Sequence, residues 1–159
     1  MTHKADLSPE RALTGQSSYP PPHDEKVKGR KTWMLTRQWG LSQFGVNRVE
    51  LPPGGWSTNR HWHRTNDELV VMISGELVLV TDDGEEVLRA GDSVGVKAGV
   101  PNAHHLQNRS SEPAVYYDIG GRDAWDVSTF PDIGLEARTH QEVRFREIGG
   151  VAAKGKPGA

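Results

Sequence analysis

The chain has 159 residues and a formal net charge of −2, and it contains no cysteine. That length suits one domain with a core of its own, and the near balance of charge argues against nucleic acid or an anionic membrane as a partner. The lack of cysteine excludes disulfides and thiolate metal sites. No apolar run resembles a secretory signal or a transmembrane helix, so we expect a cytoplasmic protein that has no membrane partner.

The two ends of the chain differ in composition from its middle. Residues 1–29 are predicted to form a partly disordered arm, because this segment is polar, lacks periodicity and is interrupted by prolines. Within the arm, Ser8 and Pro9 are typical of the first residues of a short helix. Residues 149–159 consist largely of small residues and are predicted to form a flexible tail. Residues 30–148 remain for a single folded domain.

The middle of the chain is a series of short strand-like runs. Each run is rich in Val, Ile, Leu or Tyr and is bounded by Gly, Pro, Asn or Asp, which indicates a β-sandwich or a β-barrel. Asp83-Gly84 between two runs predicts a hairpin. Residues 121–140 are predicted to form an irregular flap, and EVRFREI a last strand. The runs before the flap are KTWMLTR, QFGVNRVEL, HWH, ELVVMIS, ELVLVTD, EEVLRA, DSVGVKA, HHLQNR and AVYYDIG.

Histidines and a carboxylate surround the start of the ELVVMIS strand. His61 and His63 are two positions apart, so a strand places both imidazoles on one face, where they can chelate one divalent ion. Glu68 opens the next strand and comes within reach of the pair if the two strands form a hairpin. A third histidine is available from His104 or His105.

These residues carry a resemblance to the cupin superfamily. The segment from Gly55 to Gly75 reads G-x5-H-x-H-x4-E-x6-G, which resembles the first cupin motif at every marked position. The second motif, G-x5-P-x-G-x2-H-x3-N, is matched only in part, because Lys97 replaces the proline and Asn102 stands where the histidine is expected. The H-x3-N half is present as His104 and Asn108, in a loop that is two residues longer.

The resemblance covers roughly residues 44–120 and implies an all-β fold, a double-stranded β-helix or jelly-roll-like barrel. It implies one divalent metal ion per chain, which could be Fe, Mn, Ni, Co or Zn, bound by His61, His63, Glu68 and His104. Asn102 or His105 as the third ligand stays open. Glu68 could also be a surface charge, or a partner that fixes a histidine tautomer.

The resemblance implies two functions of different kinds. The first is a metal-dependent enzyme that acts on a small oxygen-rich organic molecule, as a dioxygenase, isomerase, decarboxylase or lyase. The second is a non-catalytic cupin that binds or senses a small molecule and holds a structural metal. For an enzyme, the candidate catalytic residues are Glu68 and Tyr117, since either Tyr116 or Tyr117 should point inward.

Strand parity also gives expectations for the surroundings of the metal. Inward positions along ELVVMISGELVLV are mostly aliphatic, so apart from Glu68 we expect an apolar pocket for a small-molecule ligand that chelates the ion through two oxygens. Arg60 precedes His61 and should face away from the pocket. We also predict a homodimer, in which the arm at residues 1–29 could cover an edge strand of the partner.

Overall fold

Strands make up most of the regular structure in a computed structural model, which describes residues 3–140, 142–147 and 149. One short helix, α1 (Leu35–Gln38), and three 3-10 turns, at Pro9–Arg11, Glu25–Val27 and Pro131–Ile133, complete the elements of this part of the chain. The strands in chain order are β1 (Leu13–Thr14), β2 (Lys31–Met34), β3 (Phe44–Leu51), β4 (Trp62–His63), β5 (Glu68–Ser74), β6 (Glu76–Thr81), β7 (Gly84–Arg89), β8 (Ser93–Val96), β9 (His105–Gln107), β10 (Ala114–Gly121), β11 (Val127–Phe130), β12 (Leu135–His140) and β13 (Glu142–Glu147).

Three antiparallel sheets form the fold. The largest has six strands in the order β1-β2-β3-β10-β5-β8, a second has three in the order β7-β6-β9, and a third has four in the order β13-β12-β11-β4. The main core fills the space inside the six- and three-stranded sheets. Its buried members are Val49, Leu51, Val70, Met72, Leu77, Leu79, Leu88, Leu106, Ala114 and Tyr116. The all-β barrel predicted from the strand pattern is thereby confirmed.

The connection between β5 and β6 shows why a glycine stands at position 75. Gly75 has a φ of +76°, which favours glycine. A Cβ atom at this position would lie 2.8 Å from the Cα of Ala114 and 2.8 Å from the carbonyl oxygen of Pro113. The last glycine of the first motif therefore lets β10 approach the turn that leads into the second sheet.

The hairpin predicted at Asp83-Gly84 is present between β6 and β7. Thr81 pairs with Gly84, so the two turn residues are Asp82 and Asp83, and Gly84 is the first residue of β7. The short helix predicted after Ser8 is a single 3-10 turn, Pro9–Arg11.

The region predicted as an irregular flap, residues 121–140, contains two paired strands instead, β11 and β12. Gly134, with a φ of +66°, follows the 3-10 turn between them. The two strands are short and rich in polar residues, so the sequence gives little strand signal here. β11 also pairs with β4, which brings this segment beside His63.

The N-terminal segment packs against these strands. Tyr19 and Val27 are buried in a second cluster together with Phe130 and two residues of β12. β1 pairs with β2 at the edge of the large sheet. The flexible tail predicted for residues 149–159 lies outside the described residues except for position 149. Among the described helices, none is long and apolar enough to span a membrane.

Candidate metal centre

Backbone pairing brings the predicted ligands together. His61 and His104 form an antiparallel bridge, with His61 N donating to His104 O at 3.0 Å and His104 N donating to His61 O at 2.8 Å. His63 follows two positions later in β4, and Glu68 is the first residue of β5. The two histidine-bearing segments are thus neighbours in the backbone pairing.

The side-chain atoms of these four residues converge. One ligand atom each from His61, Glu68 and His104 lies within 4.8 Å of the others. Glu68 Oε2 is 2.9 Å from His104 Nε2, and Glu68 Oε1 is 3.4 Å from His63 Nε2. His63 Nε2 is also 3.1 Å from His61 Nε2. His61, Glu68 and His104 therefore face a common point and could hold one divalent ion, with the His63 imidazole beside His61 and Glu68.

The structure distinguishes between the alternatives for the third histidine. His105 hydrogen-bonds through Nδ1 with the carbonyl oxygen of Thr58, at 3.0 Å, and through Nε2 with the side chain of Gln107, at 2.8 Å. Asn102 Oδ1 accepts the backbone N–H of Asp82 at 2.9 Å. Both side chains are committed to other partners, whereas His104 faces Glu68.

Hydrogen bonds at Nδ1 fix the orientation of the His61 and His63 imidazoles. His61 Nδ1 lies 3.2 Å from the carbonyl oxygen of Asn59, and His63 Nδ1 hydrogen-bonds with Asp126 Oδ2. A carbonyl or carboxylate on Nδ1 holds the proton there and leaves Nε2 free as a ligand. Both Nε2 atoms are the ones that point toward Glu68.

Asp126 is a functional residue that sequence reasoning missed. Its side chain is buried, and its Oδ1 accepts the backbone N–H of Thr65 at 2.9 Å and the Thr65 hydroxyl at 3.1 Å. It lies next to β11, whose Ser128 pairs with His63. The segment had no recognisable motif, so only the strand pairing reveals that this carboxylate lies beside a predicted ligand.

Electrostatics keep most of the cluster in the form that binds metal. Burial lowers the pKa of His61 to about 3, so its imidazole is neutral. Burial alone would raise the pKa of Glu68, but the neighbouring imidazoles of His104 and His63 outweigh it and keep that pKa well below the usual value. His63 is the exception. Burial opposes its charged form, but Asp126 and Glu68 raise its pKa to about 10, so without a metal this imidazole is protonated and a bound ion would have to displace that proton.

Two buried polar atoms in the cluster bear on whether a metal ion would fit there. Glu68 Oε2 and His104 Nδ1 are buried and have no hydrogen bond of normal geometry among the residues that the structure describes, although Oε2 lies 2.9 Å from His104 Nε2. An unsatisfied carboxylate oxygen is costly in a protein interior. Because Glu68 Oε2 faces imidazole nitrogens, a cation between them would satisfy it, and the donor set fits a divalent transition metal.

The cluster opens onto a cavity of about 260 Å³. The expectation of an otherwise apolar pocket is wrong, because many lining side chains are polar. Strand parity along β5 and β6 could not reveal them, since they come mainly from β2, β3 and β10 and from the loop before His61. The polar members include Arg30, Thr32, Asn47, Thr58, Tyr116 and Asp118.

Comparisons with known proteins agree with this fold. Residues 47–120 match the family model described as a cupin domain. A sugar phosphate isomerase from a cupin superfamily of Silicibacter pomeroyi is 33% identical, with 94% of this chain and 97% of that chain covered at a TM-score of 0.87. The chain belongs to the cupin superfamily.

More distant structures agree on the fold of this cupin. A putative sugar phosphate isomerase from Acidithiobacillus ferrooxidans is 25% identical over 79% of this chain and 80% of that chain, with a TM-score of 0.71. A polyketide cyclase from Streptomyces resistomycificus is 15% identical over 76% and 81%, with a TM-score of 0.60, and shares the fold alone. A search of curated proteins finds no match.

Two further residues of this cupin are placed by β10 and by the loop before β4. Tyr116 is buried and lines the cavity, whereas Tyr117 pairs with Val71 on the other face of the sheet and does not line it, so the expected inward tyrosine is Tyr116. Arg60 does point away from the cluster, and its Nη2 lies 2.6 Å from Asp132 Oδ1.

Proposed function

We propose that this cupin is a metal-dependent isomerase that acts on a small sugar-like compound carrying hydroxyl groups next to a carbonyl. One observation carries the proposal: the imidazoles of His61 and His104 and the carboxylate of Glu68 converge at a cavity whose other walls present hydrogen-bonding groups. The name of the Silicibacter pomeroyi relative, which is similar over almost its whole length, supports the same class of substrate.

The proposed reaction suits the residues around the cavity. Interconverting an aldose and a ketose moves a proton between two adjacent carbons and another between their oxygens, so no oxidant or co-substrate is needed. A divalent ion held by His61, His63, Glu68 and His104 would act as a Lewis acid toward the substrate oxygens. The steps that remain are proton transfers and hydrogen bonds, which side chains can provide.

We assign those tasks to Asp118 and Tyr116, which line the cavity. Burial raises the pKa of Asp118, whose Oδ2 accepts a hydrogen bond from Asn47 Nδ2 at 3.1 Å. A carboxyl with a raised pKa holds and releases a proton closer to neutral pH than an exposed one. Burial also raises the pKa of Tyr116, so its hydroxyl stays protonated and can donate to a substrate oxygen.

The volume of the cavity limits the substrate. Pockets for drug-sized ligands typically have volumes of about 300–1,000 Å³. The cavity in this cupin, about 260 Å³, is smaller and suits a molecule with a few carbon atoms. The hydroxyl, amide and carboxyl groups on its walls suit a ligand with an oxygen on most of its carbons.

The test is an isomerase screen of the metal-loaded protein. The full chain is stripped of metal, loaded separately with Mn²⁺, Fe²⁺, Co²⁺, Ni²⁺ or Zn²⁺, and incubated in D2O with short aldoses, ketoses and their phosphates. We expect at least one metal form to interconvert an aldose–ketose pair and to exchange a carbon-bound proton for deuterium, as seen by proton NMR. His104→Ala, which removes one ligand, should abolish both signals.

Failure in this screen would support the other function of the fold. If no metal form gives turnover or exchange, yet the protein binds one ion and a sugar-like ligand, the chain is a binding or sensing cupin. His23→Ala is the matched control for His104→Ala, because it removes an imidazole that does not line the cavity.

A further inference from the structure

Arg30 is the one Lys or Arg side chain among the described residues that line the cavity. It immediately precedes β2 and lies outside residues 47–120, the segment that matches the cupin model. The N-terminal part of the chain therefore adds a positive charge to a pocket whose metal ligands all come from the matched segment.

The guanidinium of Arg30 is held in place by neutral partners. Its Nη1 donates to the carbonyl oxygen of Ser57, and its Nη2 donates to the carbonyl oxygen of Gln16 at 3.4 Å. Within the part of the chain that the structure describes, no carboxylate forms an ion pair with it. Arg60 and Arg109, by contrast, form ion pairs with aspartate or glutamate. The charge of Arg30 is fixed at the wall of the cavity, and it acts on the Asp118 carboxyl, which lines the same cavity, from beyond ion-pair distance.

The balance of charge around the cavity favours an anionic ligand. A divalent cation and Arg30 bring positive charge, and Glu68 removes one unit of it. Even if Asp118 is ionised, the charges of the metal ion, Arg30 and the two carboxylates around the cavity sum to a positive value. A ligand that carries a negative group would complete this balance, whereas a neutral one would leave Arg30 without a counter-ion.

We propose that Arg30 binds an anionic group, phosphate or carboxylate, of the ligand that enters this cavity. The planar guanidinium can donate parallel hydrogen bonds to two oxygens of such a group. Thr32, which lines the same cavity, has a hydroxyl that could donate as well. The identity of the carbon skeleton rests on the proposed function, but the binding of the anion by Arg30 does not.

The test measures anion binding without turnover. Isothermal titration calorimetry of the metal-loaded full chain uses orthophosphate, acetate and glycerol as probes. We expect the wild type to bind one of the two anions in preference to glycerol, and Arg30→Gln to weaken that binding at least about tenfold, as expected for loss of a charge-assisted contact. The anion that binds more tightly identifies the class of the group.

Arg48→Gln is the matched control. Arg48 lies on β3, its Nη1 is 4.0 Å from Glu50 Oε2, its guanidinium packs 4.7 Å from the ring centroid of Trp33, and it does not line the cavity. The variant removes the same charge from a neighbouring strand, and we expect its anion affinity to stay within about twofold of the wild type. Equal weakening in both variants would overturn the proposal, because it would show a general effect of charge.

A second measurement needs no variant and covers the case in which Arg30→Gln does not fold. Phenylglyoxal modifies arginine, and peptide mass spectrometry gives the rate at each site. The preferred anion should slow modification of Arg30 at least about fivefold and leave Arg48 unchanged; equal rates at Arg30 with and without the anion would overturn the proposal. Arg30-dependent anion binding without any isomerase activity would refute the proposed function and leave this inference standing.

Discussion

Asp126 fixes the tautomer of His63, so its replacement should weaken metal binding. In Asp126→Asn, the amide oxygen can still accept the two hydrogen bonds from Thr65, which are 2.9 and 3.1 Å long in the wild type. The amide NH2 group then faces His63 Nδ1, which must become an acceptor. The single proton of a neutral His63 imidazole then lies on Nε2, the atom that points into the cluster.

The expected loss of metal affinity follows from the usual contribution of residues that hydrogen-bond to a metal ligand. Loss of a group that orients a metal ligand typically lowers metal affinity about 10- to 100-fold, which corresponds to about 1.4 to 2.7 kcal/mol of binding free energy. We expect this range for Asp126→Asn because the Asp126 side chain is buried, so bulk water does not replace its contact with His63. Asp132→Asn is the control, since Asp132 pairs with Arg60 outside the cavity.

Metal affinity is measured by competition with a chromophoric chelator, and the tautomer by ¹⁵N NMR of the histidine ring nitrogens. With metal bound, we expect the Nδ1–H form of His63 in the wild type and in Asp132→Asn. Without metal, we expect both ring nitrogens of His63 to be protonated in the wild type, and Nε2 alone in Asp126→Asn. An Asp126→Asn protein that binds metal within about twofold of the wild-type affinity would refute this account of the residue.

Three further predictions concern stability and assembly. Gly75→Ala should destabilise the fold by at least about 1 kcal/mol more than Gly91→Ala in urea unfolding, because both glycines have positive φ but only Gly75 has backbone atoms 2.8 Å from the new Cβ; equal losses would contradict this. The folded-state pKa of Asp118 is raised by burial, so its contribution to stability is present below the unfolded pKa and lost as pH rises through the folded one. Asp118→Asn should therefore unfold at a higher temperature than the wild type at pH 7 but not below about pH 4; a lower midpoint at pH 7 would refute the sign. Sedimentation equilibrium at micromolar concentration should give a homodimer, and a monomer would rule it out.

Most of the proposed ligand set could be predicted from local spacing. His61 and His63 share a strand face, and Glu68 opens the next strand, so three of the four ligands follow from period-two geometry over eight residues. The choice between His104 and His105 needed the bridge that pairs His61 with His104, which is a contact between segments some forty residues apart.

The surroundings of the metal site could not be predicted in this way. Arg30 and Asp118 reach the cavity from strands or loops that are distant in sequence, and parity along one strand does not report on them. Asp126 lies in a segment with weak strand patterning, so its contact with His63 depends on the pairing of β11 with β4. Tyr116 and Tyr117 could be separated only once the register of β10 with β5 was known.

The central claim is that His61, His63, Glu68 and His104 bind a single divalent ion. Anomalous diffraction at the absorption edge of the loaded metal tests it most directly. We predict one anomalous peak within about 2.0–2.3 Å of the three Nε2 atoms and a carboxylate oxygen of Glu68. A metal-loaded crystal with no peak among these residues, or with a peak bound by His105 in place of His104, would contradict the account.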